Sequence, residues 1–237
     1  MPSASAVPSL FEVRDYELGY GENMVFRCPY LNLKPGETLA LLGASGTGKT
    51  TFFSGLAGHL ESSRGQLSQN GEVVSRDWQL RKVARTLQSF PLLHWLTVEQ
   101  NLKLAARLRN VALHDAEELL ERVSARHLAR RWPHTLSGGE KCRASLALCL
   151  VSDPAILLLD EPFNGLDVLM KKEVAETILE FVGKHHCAAV FVTHDLEDAL
   201  EYSQRVAVIR RGAPSSLESV WDVREPDLKE KILAQLA

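Results

Sequence analysis

The chain has 237 residues, enough for one large domain or two small lobes with a substantial buried core. Its formal charge of −3 at neutral pH argues against nucleic acid as a partner, because duplex DNA and RNA binders carry a basic excess. No apolar run approaches the roughly 20 residues that a membrane helix needs, so any work at a membrane is done through a partner.

Residues 1–9 carry neither a basic cluster nor an apolar core and read as a flexible lead rather than a secretory signal. The remainder, 10–237, reads as a single domain. Residues 12–18 and 24–33 predict two strands around a Gly19-Tyr20-Gly21 turn. After Pro35-Gly36, residues 37–42 form a short apolar strand that runs straight into Gly43-Ala44-Ser45-Gly46-Thr47-Gly48-Lys49-Thr50. A polyphosphate needs close backbone approach and inward N–H groups, which Gly43, Gly46 and Gly48 permit. From Lys49 the spacing of Phe52, Phe53, Leu56, Ala57 and Leu60 is helical, and the positive end of such a helix points at the phosphates. Lys49 adds a full charge, and the Thr50 hydroxyl can ligate Mg²⁺. Residues 65–74 read as a hairpin over Asn70-Gly71, and 83–87 as a strand.

The middle changes character. Thr97-Val98-Glu99-Gln100 is a capping box that opens a helix through Leu102, Leu104, Ala105 and Leu108. Residues 115–123 predict a second helix, and Ser137-Gly138-Gly139-Glu140 is a second capping box opening a third. Residues 90–151 are therefore expected to be mostly helical. Alternation of strand and helix returns with a strand at 156–159, a helix at 170–182, a strand at 188–192, a helix at 196–202 and a strand at 206–209, which argues for a mainly parallel sheet. Asp160-Glu161 follows the aliphatic run 156–159, so Asp160 sits at the sheet's C-terminal edge beside the glycine-rich loop. Asp160 is expected to hold Mg²⁺ through water, and Glu161 to polarise an attacking water. The cysteines Cys28, Cys142, Cys149 and Cys187 form no C-x-x-C pair and read as reduced core thiols.

Three elements in this order, the glycine-rich loop at 43–50, Leu136-Ser137-Gly138-Gly139-Glu140 and Ile156-Leu157-Leu158-Leu159-Asp160-Glu161, resemble the ATP-binding cassette (ABC) ATPase family. The resemblance runs from about Phe11 to Ile209. It implies an α/β fold: a P-loop NTPase core with a mainly parallel sheet, an N-terminal antiparallel β portion and a helical insert at about 90–151 bearing the signature. It implies ATP and Mg²⁺ as cofactors, with Gly43, Ala44, Ser45, Gly46, Thr47, Gly48, Lys49, Thr50 and Thr51 on the nucleotide. Gln88 matches the family's Q-loop, which senses Mg²⁺ and water and couples to a membrane subunit. His194 matches the switch histidine at the γ-phosphate, Asp167 the D-loop acid at the dimer interface, and Tyr20 the aromatic that stacks on adenine. Ser137, Gly138 and Gly139 would bind the γ-phosphate of ATP held by a second, identical subunit. Glu140 departs from the commoner Gln of the signature: it still closes the capping box but adds a negative charge.

The resemblance implies an ATPase subunit of a membrane transporter, peripheral on the cytoplasmic face of the membrane, with multi-span permease subunits and a substrate-binding protein as partners. Leu217 and Val220, then Arg224, Pro226 and a terminal helix at about 226–236, are similar to the tails of bacterial importer cassettes for nitrate, sulfonate or taurine-like substrates. A soluble ABC ATPase in an assembly process, such as iron–sulfur cluster biogenesis, is the alternative. Phe90 to Leu96 is apolar for a loop: exposure there favours docking of a membrane subunit, whereas burial would make it part of the helical insert.

Overall fold

Alternating burial builds the N-terminal β portion in the computed structural model, which describes residues 11–86, 92–111, 115–185 and 187–236. The lead at 1–9, Gln88, Phe90 and Pro91 lie outside the described residues. Strand β1 (Phe11–Tyr20) pairs antiparallel with β2 (Asn23–Leu33), with Phe11 opposite Leu33 and Leu18 opposite Phe26. Phe11, Val13, Tyr16 and Leu18 point inward, fixing the register by the face they must bury. A Cβ at Gly19 would collide with the Asn23 carbonyl, so the tight turn requires glycine there. On the other side of β1 lies β4 (Ser62–Gln69), which folds back on β5 (Glu72–Val73) over Asn70-Gly71. Both turn residues have positive φ, as a two-residue hairpin turn with the strands' own twist demands.

The central strands are apolar on both faces. Strand β3 (Thr38–Leu42) is wholly buried and lies parallel between β8 (Ala188–Thr193) and β9 (Arg205–Arg210). Beyond β8 come β7 (Ile156–Asp160) and the edge strand β6 (Val83–Thr86), both parallel. Leu39 and Leu41 face one core with Phe52 and Phe53 of α1 (Lys49–Leu56). Ala40 and Leu42 face the other, filled by α5 (Gly138–Leu150), α6 (Val168–His185), α7 (Leu196–Tyr202) and Leu228 and Ile232 of α8 (Leu228–Leu236). Such two-sided burial produces the near-continuous aliphatic runs of parallel sheets.

Two elements were not expected. Strand β10 (Ser215–Asp222) pairs antiparallel with β9 and parallel with β2, joining the N-terminal hairpin to the parallel core in one ten-stranded sheet of order β5-β4-β1-β2-β10-β9-β3-β8-β7-β6. Helix α2 (Arg76–Lys82) precedes β6, capped by the Ser75 hydroxyl accepting from the Trp78 N–H at 3.2 Å. Helix α1 stops at Leu56 rather than continuing to Leu60, with Gly58 in the left-handed region just beyond. Between Leu92 and Val151 the described residues form α3 (Val98–Leu108), α4 (Ala116–Glu121), two single 3₁₀ turns and α5. Both capping boxes close, at Thr97–Gln100 and Ser137–Glu140. All four cysteines are buried free thiols, and burial pushes each up to about 12.

Candidate functional site

The end of β3 and the start of α1 create the site. Gly46 and Gly48 both adopt left-handed backbone, which costs a side-chain-bearing residue and costs glycine nothing. A Cβ at Gly48 would press on the Phe26 ring at 3.2 Å, so the loop also lies close against β2. Thr47 is buried and ties the loop across itself, its hydroxyl donating to the Ala44 carbonyl at 2.9 Å. Helix α1 begins at Gly48 with no side-chain cap, leaving its first N–H groups without that partner at the mouth of a cleft. The Lys49 ammonium folds back over the loop and donates to the carbonyls of Gly43 and Ala44, each at 2.7 Å. Burial lowers the Lys49 pKa, and the carboxylates of Glu161 and Asp160 oppose that shift.

The cleft, of about 360 Å³, is lined on one side by Ser45, Gly46, Gly48, Lys49, Thr50 and Thr51, and on the other by Asp160, Glu161 and His194. The second side comes from the ends of β7 and β8, as expected of ligand sites at the carboxyl edge of a parallel sheet. Asp160 is buried, and its Oδ2 accepts from Arg85 Nη2 at 3.0 Å. Glu161 has φ of 48°, a strained backbone for a non-glycine residue, while its N–H still donates to the Val192 carbonyl at 3.1 Å. That twist turns its side chain into the cleft. There Oε2 accepts from Asn164 Nδ2 at 3.0 Å, and Oε1 lies 3.3 Å from His194 Nδ1.

The remaining predicted residues lie elsewhere. Tyr20, at the end of β1, is 60% exposed, which rules out core packing, but it is not among the residues lining the cleft. Asp167 caps α6, its carboxylate accepting from the Met170 N–H at 2.9 Å. Ser137, Gly138 and Gly139 also stand outside the cleft of their own chain. Gly138 lets Leu166 and Met170 pack closely, since a Cβ there would meet both at 3.2 Å. Arg143 has a structural role, bridging Glu173 at 2.7 Å and the Val123 carbonyl at 3.3 Å. Gln88 lies outside the described residues. Arg85 and Asn164, which hold the two acids, were not read as site residues. An arginine in the otherwise short apolar run of β6 is the signal that could have found the first.

These groups fit Mg²⁺ and a nucleoside triphosphate. Gly46 faces open space, the helix start is uncapped, and hydroxyl and carboxylate oxygens are the hard donors that Mg²⁺ takes. Among the described residues no three His, Cys, Asp or Glu side chains converge as a metal cage. A Mg²⁺ carried by substrate phosphates needs only one or two protein oxygens.

The profile of the ABC transporter family matches residues 29–164, more than half of the chain. The chain is 37% identical over 223 residues to the sulfate/thiosulfate import ATP-binding protein CysA of Nitrosomonas europaea, covering 90% of this chain and 62% of that protein. It is 34% identical over 236 residues to the nitrate import ATP-binding protein NrtC of Synechococcus elongatus, covering 96% of this chain and 35% of that one. It thus spans less than two thirds of the length of either relative. Among solved structures, cbiO1 from Clostridium perfringens, part of the ABC transporter complex cbiONQ, superposes with a TM-score of 0.83 at 24% identity, covering 96% of this chain and 94% of that one. The dimeric bacterial ABC transporter cassette MJ0796 superposes with a TM-score of 0.71 at 22% identity over 91% and 99% of the two chains. At those identities the likeness concerns the fold: an α/β cassette with a mixed sheet of mostly parallel strands and an antiparallel N-terminal portion. By its sequence profile, the chain belongs to the ABC transporter family.

Proposed function

We propose that this chain is the ATP-hydrolysing subunit of a membrane transporter and works as a head-to-tail pair around two Mg-ATP. The observation that carries this reading is Glu161, whose carboxylate enters the cleft opposite Lys49 with Asn164 on one oxygen and His194 beside the other. A water between that carboxylate and a γ-phosphate meets an acceptor already oriented, which is the positioning that phosphoryl transfer to water requires.

In this reading residues 43–51 wrap the phosphates with backbone N–H groups, and Lys49 exchanges its two carbonyl partners for phosphate oxygens. Thr50, Asp160 and Gln88 hold Mg²⁺, which when bound neutralises charge on the phosphates. His194 holds the γ-phosphate side of the water, and the exposed Tyr20 ring is free to stack on adenine. Among the described residues, the signature residues Ser137, Gly138 and Gly139 do not line the cleft of their own chain. The same residues of a second copy supply donors on its open side. Support for such a pair comes from exposed Ser137 and Asp167, and from Val168 and Leu169, which stand 77% and 82% exposed beside Asp167.

The membrane partner is a multi-span permease. A groove of about 280 Å³ whose lining includes Leu93, Leu104, Ala105, Leu108 and Leu148 supports that reading, and Trp95, two residues after Leu93, is 69% exposed. Leu92 of the same apolar segment is buried, so part of the segment packs and part is presented. No helix among the described residues is long and apolar enough to cross a membrane. In this reading the chain attaches peripherally, on the cytoplasmic face, through the permease. Import rests on the relatives named for sulfate, thiosulfate and nitrate import, and a substrate-binding protein would deliver the solute.

Glu161→Gln tests the chemistry. It should bind ATP, turn over at least ~100-fold more slowly, and accumulate an ATP-dependent dimer in size-exclusion chromatography. Normal turnover would remove Glu161 from the mechanism. The same variant, tagged and recovered with Mg-ATP from gently solubilised cells, should bring down a multi-span membrane protein. Soluble partners alone would favour an assembly ATPase.

A further inference from the structure

Strand alternation places an arginine where a buried strand should carry an aliphatic residue. In β6, Val83 belongs to the core beneath α1, while Ala84 belongs to the core on the other face. Arg85 therefore shares the α1 face with Val83. In β7 the same alternation puts Ile156 and Leu158 under α1, and Asp160 after them. The two charged side chains, 14% and 10% exposed, meet on that face at 3.0 Å. A buried guanidinium is costly unless its donors are matched. Here Nη2 donates to Asp160 Oδ2, Nη1 donates to Ser54 Oγ at 3.1 Å, and the plane lies over the Phe53 ring at 5.8 Å. Nε is buried with no partner among the described residues, whereas an aliphatic residue would bring no such donor to match.

The chain of contacts joins two places that matter. Ser54 Oγ donates to the Thr50 carbonyl at 2.8 Å on α1. From Thr50 the path runs through Ser54 and Arg85 to Asp160, linking the two candidate Mg²⁺ ligands, which stand on separate elements. The Asp160 backbone is held in the ladder opposite Val192 of β8, with its N–H 3.4 Å from Thr86 Oγ1, but the ladder does not fix the side chain. A carboxylate that reaches its metal through water has freedom to swing. The guanidinium removes that freedom by fixing Oδ2 and leaving Oδ1 for the cleft.

We propose that Arg85 is a positioning residue for the metal site: a fixed strut between α1 and β7 that sets the Asp160 carboxylate relative to Thr50 and so raises the affinity for Mg²⁺ carried by ATP. The proposal rests on the reading of the cleft as a Mg-ATP site. Charge alone makes the opposite prediction, because a cation beside Asp160 repels Mg²⁺.

The test is equilibrium binding of ATP to the full chain, first in EDTA and then titrated with Mg²⁺, for the wild type and for Arg85→Met, Arg85→Lys and Ser54→Ala. Arg85→Met should keep its affinity for ATP in EDTA but need about ten-fold more Mg²⁺ for the same gain, the usual cost of losing a residue that orients a ligand. Arg85→Lys keeps the charge but loses the fork, and should behave like Arg85→Met. Ser54→Ala leaves the ion pair and should shift the Mg²⁺ requirement in the same direction by less, which decides the matter if the Arg85 variants do not fold. An unchanged or lower Mg²⁺ requirement in Arg85→Met overturns the proposal. So does a wild-type requirement in Arg85→Lys, or an equal loss of affinity in EDTA. A wild type that binds ATP equally with and without Mg²⁺ would remove the metal site itself, a result distinct from any of these.

Discussion

Lys49 shows what one residue contributes at this site. Its ammonium is held by two carbonyls of the loop it will help to fill, so it is stored within reach of a phosphate rather than extended into solvent. Burial works against its charge, while Glu161 and Asp160 favour it. Lys49→Ala removes charge-assisted hydrogen bonds of about 1.5–3 kcal/mol, and should weaken ATP binding roughly 10- to 150-fold. A titration with ATP in EDTA reads this directly, and unchanged affinity would sink the assignment of the loop. This residue was legible in the sequence because its meaning is carried by seven neighbours in a row. Asp160 and Glu161 were legible because a buried strand ends just before them. Arg85 and Asn164 were not. Arg85 gains its role from a partner 75 residues away, and no local pattern announces which acid a buried arginine will meet. Asn164 lies only three residues from Glu161, yet the contact depends on the left-handed backbone of Glu161, which sequence does not display.

Caps and periodicity govern the elements, and they explain both the elements that were anticipated and those that were not. Helices α3 and α5 were readable from their capping boxes, since each box places two polar side chains at fixed spacing before an apolar run. Helix α2 has only seven residues, and most of them are charged or polar, so no apolar stripe marks it. Strand β10 is rich in serine and acid and buries chiefly Ser215 and Leu217, which hides the alternation that signals a strand. At α5 the capping box carries a titratable group. The Glu140 carboxylate accepts from the Ser137 N–H at 2.8 Å, and that bond, aided by Arg131 and His127, holds its pKa below the ordinary 4.5. A carboxylate with a depressed folded pKa stabilises fully above its unfolded value and loses that stabilisation as pH falls through the folded value. Glu140→Gln keeps an acceptor at the cap but does not titrate. The variant should therefore melt slightly below wild type at neutral pH, by about 2 °C for a difference under ~1 kcal/mol. The two should converge well below pH 4.5. Thermal melts across that range check the prediction, and a gap that persists in acid would assign the difference to packing rather than to charge.

On the scale of the whole molecule, the proposed pairing would have each chain contribute half of two sites. One half is the cleft between the phosphate loop and Glu161. The other would be the start of α5, where Ser137 is exposed and is not among the residues lining its own chain's cleft. The order of the motifs was legible, and with it the mainly parallel sheet that brings 43–51 beside 160–161. What sequence could not display is how β10 joins the N-terminal hairpin to the core, because that contact pairs residues 215–216 with 26–27 across nearly the full chain. If the second half-site completes the cleft of another copy, the two halves should be separable by mutation. Ser137→Arg places a long cation at the exposed start of α5, outside the candidate nucleotide cleft of the same chain. Single-subunit ATP binding should be preserved, since neither Lys49 nor the loop is touched. Dimer formation should be lost, because the arginine would occupy the space in which the partner's phosphate must approach the α5 N–H groups. The comparison is cleanest in the Glu161→Gln background, where ATP is retained: size-exclusion chromatography with ATP should show a dimer for Glu161→Gln and a monomer for the double variant. A dimer that persists in the double variant would mean that Ser137 does not close the partner's site, and that subunits associate through another face.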